Sequence, residues 1–577
     1  MCGSRFPNGS PPPGAGVCRR SPGLAWVCAT PRRDTMTWSF WTAAAGKPSV
    51  RPLEDLTDRE AGPWMDRSPP GGLGVTGSLG GEDRLGWVNL PLTASRELPE
   101  YVRLRDELLA EGFERLVVVA MGGSALAPRA LVSGLPRGRG LAVDFLDSLA
   151  PEAVLESLRP DRQPRTVFLV ASKSGTTVET RALEAVIYGT LQGAGAVPGR
   201  QFLAITDPGT PLHRWADRVG YRARFAGKPD VGGRFSALSA FGLLPAVLAG
   251  CGLEEELAGV RRVREALDAG RAAAEPAFRL GSVLARLRAE GRWQAHLTAA
   301  PGWEGVLPWL EQLFAESTGK EGTGILPVIC EWPHPERLAD TTLVIHVGPA
   351  ETGDRERLEA GAAAGVPAIL CPPDPSGRLA FLFRWQIAVA VAAFRMGMDP
   401  YDQPDVEDTK AATRRLSASP ESAPRPPEVS DSDIRGFLAE AAAGGLAVNA
   451  FGHRSRMSEG LVHALQRQLA ARFRVTPAIG FGSGLLHSLG QIEKGGPADL
   501  AVLILTWDPG PDVLIPPSPE LPAALGGLGT GALARLQAAA DYAELKRRGR
   551  RVLWLDAALP GLGGLAELTT RLITLSA

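Results

Sequence analysis

Four short apolar runs in the first half of the chain, Leu116–Met121, Ala142–Asp147, Thr166–Ala171 and Phe202–Asp207, each give way to turn residues and then to apolar positions at helical spacing. Runs that stay apolar on successive residues suit strands covered on both faces, and their alternation with helical patterns predicts a parallel sheet between helices. Amphipathic helical patterns continue to about Glu290. A second series of runs follows at Trp293–Ala300, Thr341–Gly348, Pro367–Pro372, Leu446–Gly452, Leu500–Asp508 and Arg551–Ala557. Between them lie helical patterns at Val306–Thr318, Leu379–Gly397, Glu459–Phe473 and Ala532–Arg548. The pattern predicts an α/β protein of two doubly wound parallel-sheet domains, 85–285 and 286–577, with a Pro/Ser-rich surface loop at 417–432 inside the second.

The N-terminal stretch reads differently. Residues 1–35 carry three successive prolines, Pro11 to Pro13, many arginines, Asp34 as the one acidic residue and no sustained apolar period. A secretory signal needs an apolar core that this stretch lacks, and its prolines oppose the amphipathic helix of an organelle transit peptide. The expectation is a natural start at Met36, with 1–35 disordered or a mis-assigned leader, followed by an irregular Gly/Pro-rich extension over 36–84.

Composition removes several function classes. The 62 basic and 63 acidic residues balance to a net charge of -1, which opposes a nucleic-acid carrier or a polybasic membrane binder. Apolar runs such as Ile387–Phe394 fall short of the ~20 residues of a membrane span. The 6 cysteines include no Cys-x-x-Cys pair and the 7 histidines are dispersed, so neither a disulfide scaffold nor a zinc site is expected. A reducing cytoplasm is the expected compartment, and no metal or cofactor is implied.

Candidate chemistry lies in a few turns. Ser172, Lys173, Ser174, Gly175, Thr176 and Thr177 follow the apolar run Thr166–Ala171 and precede a helical pattern. Hydroxyl donors at a helix start, where N–H groups are unpaired and the dipole is positive, favour a phosphate. The alternative is a capping box between Thr176 and Glu179, which leaves the other hydroxyls unexplained. Gly123 and Ser124 form a second such turn, at the carboxyl end of a strand where ligands of open α/β sheets bind. Gly233 and Arg234 offer a flexible turn and a permanent cation for an oxyanion, or simply a surface arginine. Gln312 and Glu316 stand one helical turn apart, a spacing that also occurs on solvated faces; beside Leu313 and Phe314 the carboxylate suits proton abstraction. Gln403 and Lys410 lie in an acidic segment opened by Pro404, and His487 and Glu493 in a polar Gly-rich loop where a lone histidine is more often structural.

Taken together, MGGS (121–124), ASKSGTTVET (171–180), GGRFSALSAFG (232–242), EQLFAESTGKEG (311–322) and YDQPDVEDTK (401–410) resemble the glucose-6-phosphate isomerase (phosphoglucose isomerase) family. The resemblance is nearest to the isomerase half of transaldolase/glucose-6-phosphate isomerase fusions and covers roughly Arg84 to Ala577; about 84 upstream residues cannot hold a transaldolase barrel, so that activity is not expected. It implies two sugar-isomerase (SIS) domains and a homodimer with a composite active site. It also implies conversion of glucose 6-phosphate to fructose 6-phosphate through a cis-enediolate, a step of glycolysis and gluconeogenesis, without cofactor. By resemblance Ser172 to Thr177 hold the phosphate and Gly123, Ser124 and Gly233 line the pocket. Arg234 stabilises the enediolate, Gln312 and Gln403 contact the sugar, Glu316 is the base and Lys410 assists at the ring oxygen.

The sequence departs from the family at one place. The fusion pattern H-S-T-G-Q-L-H-K-G-G assigns ring opening to its second histidine, and here Glu493 stands there. An ionised glutamate only accepts hydrogen bonds, so Glu493 at that place puts ring opening in question. Two alternatives therefore accompany the isomerase reading: a sugar-phosphate-binding protein with impaired catalysis, and a dual phosphoglucose/phosphomannose isomerase.

Overall fold

The computed structural model describes residues 38–44, 47–52, 84–268, 275–333 and 338–576. The expected start at Met36 and the readings of 1–35 lie outside the described residues. Within 36–84, β1 (Ser39–Ala44) and β2 (Lys47–Pro52) pair as an antiparallel hairpin, so part of the stretch expected to be irregular is sheet.

The first domain is a five-stranded parallel sheet of β3 (Arg115–Ala120), β4 (Ala142–Leu146), β5 (Thr166–Ala171), β6 (Phe202–Thr206) and β7 (Ala223–Ala226), in the order β4-β3-β5-β6-β7. Every residue of β3, β5 and β6 is buried, as continuous apolar runs between two helical layers require.

The expected second domain is two sheets rather than one. β8 (Gln294–Ala299), β9 (Leu326–Ile329), β10 (Thr342–Val347) and β11 (Ala368–Cys371) run parallel, and the N-terminal hairpin adds to them through β1, giving the order β2-β1-β11-β10-β8-β9. A separate parallel sheet, in the order β13-β12-β14-β15, is built from β12 (Gly445–Phe451), β13 (Ala478–Gly482), β14 (Leu500–Asp508) and β15 (Val552–Pro560). The range 286–577 therefore divides after the 417–432 loop, where the helix Val406–Ala418 ends and the helix Asp431–Ala441 begins.

Three apolar clusters weld the units together. One runs without a break from the first sheet to the helix Arg378–Arg395 of the second unit, through Leu116, Leu310, Phe314 and Trp385. Trp293, Leu326 and Val328 of the second unit pack with Ala447, Val502 and Ile504 of the third. Ile515 and Leu533 of the third unit close against Val117, Phe168 and Leu183 of the first. No helix among the described residues is long and apolar enough to cross a membrane.

Candidate active site

The carboxyl ends of β3, β5 and β6 open into a cleft of about 1770 Å³. Its walls include Gly123, Ser124, Ser172, Lys173, Ser174 and Thr177 from the first unit, Gly233, Arg234, Gln312 and Glu316 from the segments beyond it, Gln403 and Lys410 from the 399–410 segment, and His487 from the third. Residues singled out separately in the sequence thus meet in one place, at the end of the sheet where ligands of open α/β folds bind.

The turn after β5 is shaped by Gly175, whose φ of +65 lies in the left-handed region and whose missing side chain leaves room for Thr210, 2.7 Å from where a Cβ would stand. Ser172 Oγ lies 2.9 Å from Thr177 Oγ1, and Thr176 donates from N and Oγ1 to Ser174 Oγ at 3.2 and 2.9 Å. The capping box does not form. Thr177 is the N-cap of the helix Val178–Gly193 but makes no side-chain capping bond, so the first-turn N–H groups stay open toward an anion, and Glu179 turns elsewhere. Two expectations for this turn change. Gly175 and Thr176 shape it without lining the cleft, and the Lys173 ammonium is committed to Asp207 and to the carbonyls of Lys228 (2.9 Å) and Pro229 (3.3 Å). Hydroxyls, backbone N–H groups and the helix end are what the turn leaves open to an anion.

Facing this turn, the helix Leu307–Thr318 presents Gln312 and Glu316, whose spacing puts both on the cleft side. Arg234 Nη1 donates to Glu316 Oε2 at 3.0 Å, and the side chains are 2% and 3% exposed. Nε donates to Ser317 Oγ (3.2 Å) and Nη2 to the carbonyls of Pro400 (2.7 Å) and Asp402 (3.2 Å), so the guanidinium is fixed on all sides. It is not a surface arginine. Its turn reaches this position because Gly123 has no side chain: a Cβ there would stand 2.2 Å from Gly233 O.

Lys320, which the sequence reading passed over within its own motif, is 1% exposed and holds the opposite wall. Its Nζ donates to Asp399 O (2.6 Å), Asp402 O (2.9 Å) and Asp402 Oδ1 (2.5 Å). Burial, and then the neighbouring Arg234, push its pKa down, opposed by the bond to Asp402. Lys410 donates to Glu407 Oε1 at 2.6 Å at the cleft edge.

His487 is the residue the sequence undervalued. It ends the turn Gly484–His487, lines the cleft, and its Nε2 lies 3.0 Å from Glu179 Oε1, with Gln312 Nε2 donating to its carbonyl at 2.9 Å. Gln537 Nε2 donates to the same Glu179 oxygen at 2.7 Å. Burial alone would raise the pKa of Glu179, but the His487 charge and hydrogen bond, its own backbone N–H and the Gln537 bond outweigh it and bring it to about 2. A carboxylate held ionised accepts only, so Nε2 is the donor of this bond and Nδ1 takes no part in it. The motif TTVET held a clue, since a glutamate that does not cap its helix needs another partner.

Glu493 does not line the cleft. It is 0% exposed on the short helix Gly490–Gly495, where Asn449 Nδ2 of β12 donates to its Oε2 at 3.0 Å. The expected place of Glu493 at the ring oxygen is corrected by this geometry: the backbone turns sharply at Ser488, between His487 and the helix, and sends the two side chains to different environments.

Comparison with known proteins places the chain among phosphoglucose isomerases. The phosphoglucose isomerase family profile matches residues 106–269. A glucose-6-phosphate isomerase of Thermus thermophilus is 39% identical over 183 residues, a match that spans 31% of this chain and 43% of that protein. A glucose-6-phosphate isomerase of Rubrobacter xylanophilus is 31% identical over 393 residues, 58% of this chain and 89% of the relative. The crystal structure of a glucose-6-phosphate isomerase from Chlamydia trachomatis superposes with a TM-score of 0.51 at 20% identity, over 64% of this chain and 86% of that one, a likeness of fold.

Proposed function

Because the chain belongs to the glucose-6-phosphate isomerase family, we propose that it interconverts glucose 6-phosphate and fructose 6-phosphate by proton transfer through a cis-enediolate. The observation that carries this reading is the buried pair of Glu316 and Arg234, 3.0 Å apart, across the cleft from an uncapped helix start rimmed with hydroxyls. The phosphate sits against Ser172, Ser174 and Thr177, with Gly123 and Ser124 beside it, and the sugar then extends toward Glu316. Its carboxylate takes the C2 proton beside the C1 carbonyl and returns it to C1, while Arg234, already immobilised, meets the charge developing on the enediolate oxygens. Gln312 and Gln403 orient the hydroxyls.

Ring opening comes first and needs a proton at the ring oxygen. His487, oriented by Glu179, stands in the cleft for this task, and Lys410 assists from the rim. Since Glu493 lies outside the cleft, its replacement of a histidine no longer motivates a reading with impaired catalysis. Formation of glucose 6-phosphate from fructose 6-phosphate, followed in an assay coupled to its oxidation, tests the proposal; tight binding of the sugar phosphate without turnover would refute it.

Family likeness also supports a homodimer.

A further inference from the structure

Beneath the cleft, the loop carrying His487 rests on a buried polar floor that contacts no substrate. Glu311, next to Gln312, is 7% exposed and close to Ser488, the residue after His487, whose hydroxyl donates to Leu485 O at 3.4 Å. Glu493 is tied to β12 through Asn449. Around them, Lys494 Nζ stands 2.5 Å from Asp541 Oδ1, an ion pair with both side chains 0% exposed, and donates to Gly490 O at 3.2 Å. Arg454, just beyond β12, pairs with Glu459 at 2.6 Å and lies within electrostatic reach of Glu311 and Asp147. The carboxyls of Glu311, Glu493 and Asp541 thus face the cations Lys494 and Arg454, and Arg454 already serves Glu459 and Asp147. The floor has more carboxyls than cations.

Two orphaned atoms say where a proton resolves this. Glu493 Oε1 and Asn449 Oδ1 are both buried without a hydrogen-bond partner; the Asp541 oxygens, orphaned likewise, have the Lys494 ammonium beside them. A carboxylate oxygen and an amide oxygen each only accept, so the ionised residue satisfies neither. A proton on Glu493 Oε1 supplies the missing donor, and the side chains can then pair as acid and amide, each donating once and accepting once.

We propose that Glu493 is a positioning residue for His487, holding its loop from below the cleft as the uncharged partner of Asn449, with Glu311 buried beside it. Burial is the main reason both carboxyls resist ionising. It lifts Glu311 to about 8, with the charge of Arg454 and the nearby Ser488 hydroxyl opposing and Glu493 adding. It raises Glu493 likewise, aided by Asp541 and opposed by Lys494 and Asn449. Above neutral pH these groups ionise, the acid–amide pair is lost, negative charge collects under the loop, and His487 loses its alignment. The alkaline limit of turnover is then set by groups that never touch the sugar.

The inference rests on the isomerase reading for its kinetic readout only. In Glu493→Gln an amide supplies the donor at every pH, so kcat at pH 7 should stay within about twofold and the alkaline limb should move upward. Glu493→Ala removes the tie, so kcat for cyclic glucose 6-phosphate should fall roughly ten- to a hundredfold with KM little changed. Ring NMR signals of His487, titrated in wild type and Glu493→Gln, give a readout independent of turnover: the alkaline inflection of the wild type should shrink and move upward in the variant, where Glu311 alone remains to titrate. Superimposable pH profiles and His487 titrations in the two proteins would overturn the proposal. Absence of turnover in the wild type at any pH would refute the isomerase reading instead, and the His487 titration would still decide the role of Glu493.

Discussion

The turn Ser172–Thr177 and the segment His487–Glu493 are both short, polar, glycine-containing stretches beside a helix start, yet they meet the cleft in opposite ways. The first is proposed to work where it stands: its hydroxyls contact one another within five residues, and the anion site proposed for it is its own backbone. The second works at a distance. His487 finds its carboxylate 308 positions away, its carbonyl is held from 175 positions away, and Glu493, six residues on, faces the interior. A motif whose chemistry is local declares itself in sequence. A motif whose side chains are aimed by packing does not.

In the proposed reaction both stretches serve one carboxylate, so the largest effect comes from removing its basicity. Glu316→Gln should lower kcat by roughly 10²–10⁴ with little change in fold, and abolish exchange of the C2 proton with solvent. Retained exchange would leave neither stretch with a base to serve. The next effects separate them. Changing Ser172 and Thr177 together to alanine should raise KM about a hundredfold with a smaller change in kcat, since each charge-assisted bond contributes about 1.5–3 kcal/mol. His487→Ala should instead lower kcat for the cyclic sugar by about a hundredfold while sparing C2 exchange in open-chain substrate. If both variants change the same parameter, the contrast between the stretches fails.

A smaller signal tests whether one chain completes the cleft. Mixed after unfolding and refolding together, Glu316→Gln and His487→Ala chains should stay inactive when each site is internal. Random pairing in a dimer that shares its site would restore about a quarter of wild-type activity, because half the dimers would hold one intact site of two.

The same distinction between local and distant partners explains what was legible in the fold. Thr166–Ala171 and Leu500–Asp508 match their strands at both ends because central strands are apolar throughout. The sequence reading passed over β7, β9 and β13, each an edge strand of its sheet. The signals there are weak: β7 buries only Phe225, β13 alternates buried and half-buried residues through Gly480, and Pro327 argues against a strand at β9. Nor does periodicity state which strands pair, so the third sheet was read as part of the second. Motifs alone picked out Glu316, Arg234 and the hydroxyl-rich turn, which the fold brings to one cleft and to which the proposed reaction gives roles. The roles of His487, Glu179 and Lys320 depend on contacts between units that no spacing encodes.

The bond between Glu179 and His487 joins the first unit to the third, and acid should weaken that link before it reaches the phosphate turn. Glu179 has a folded pKa of about 2 against an ordinary 4.5, a depression, so its stabilising contribution is fully present above pH 4.5 and is lost as pH falls from there toward 2. A shift of that size corresponds to roughly 3 kcal/mol at neutral pH. Glu179→Gln forfeits it at every pH, because an amide cannot take the charge-assisted bond. At pH 7 the variant should therefore unfold at lower urea than the wild type, and the gap should close progressively below pH 4.5. The Ser172/Thr177 double variant carries no titrating group at its changed positions, so its offset from the wild type should stay constant over the same range. If the Glu179→Gln offset is equally flat with pH, the carboxylate is not what fastens the His487 segment to the first unit, and the two stretches do not differ in the way proposed.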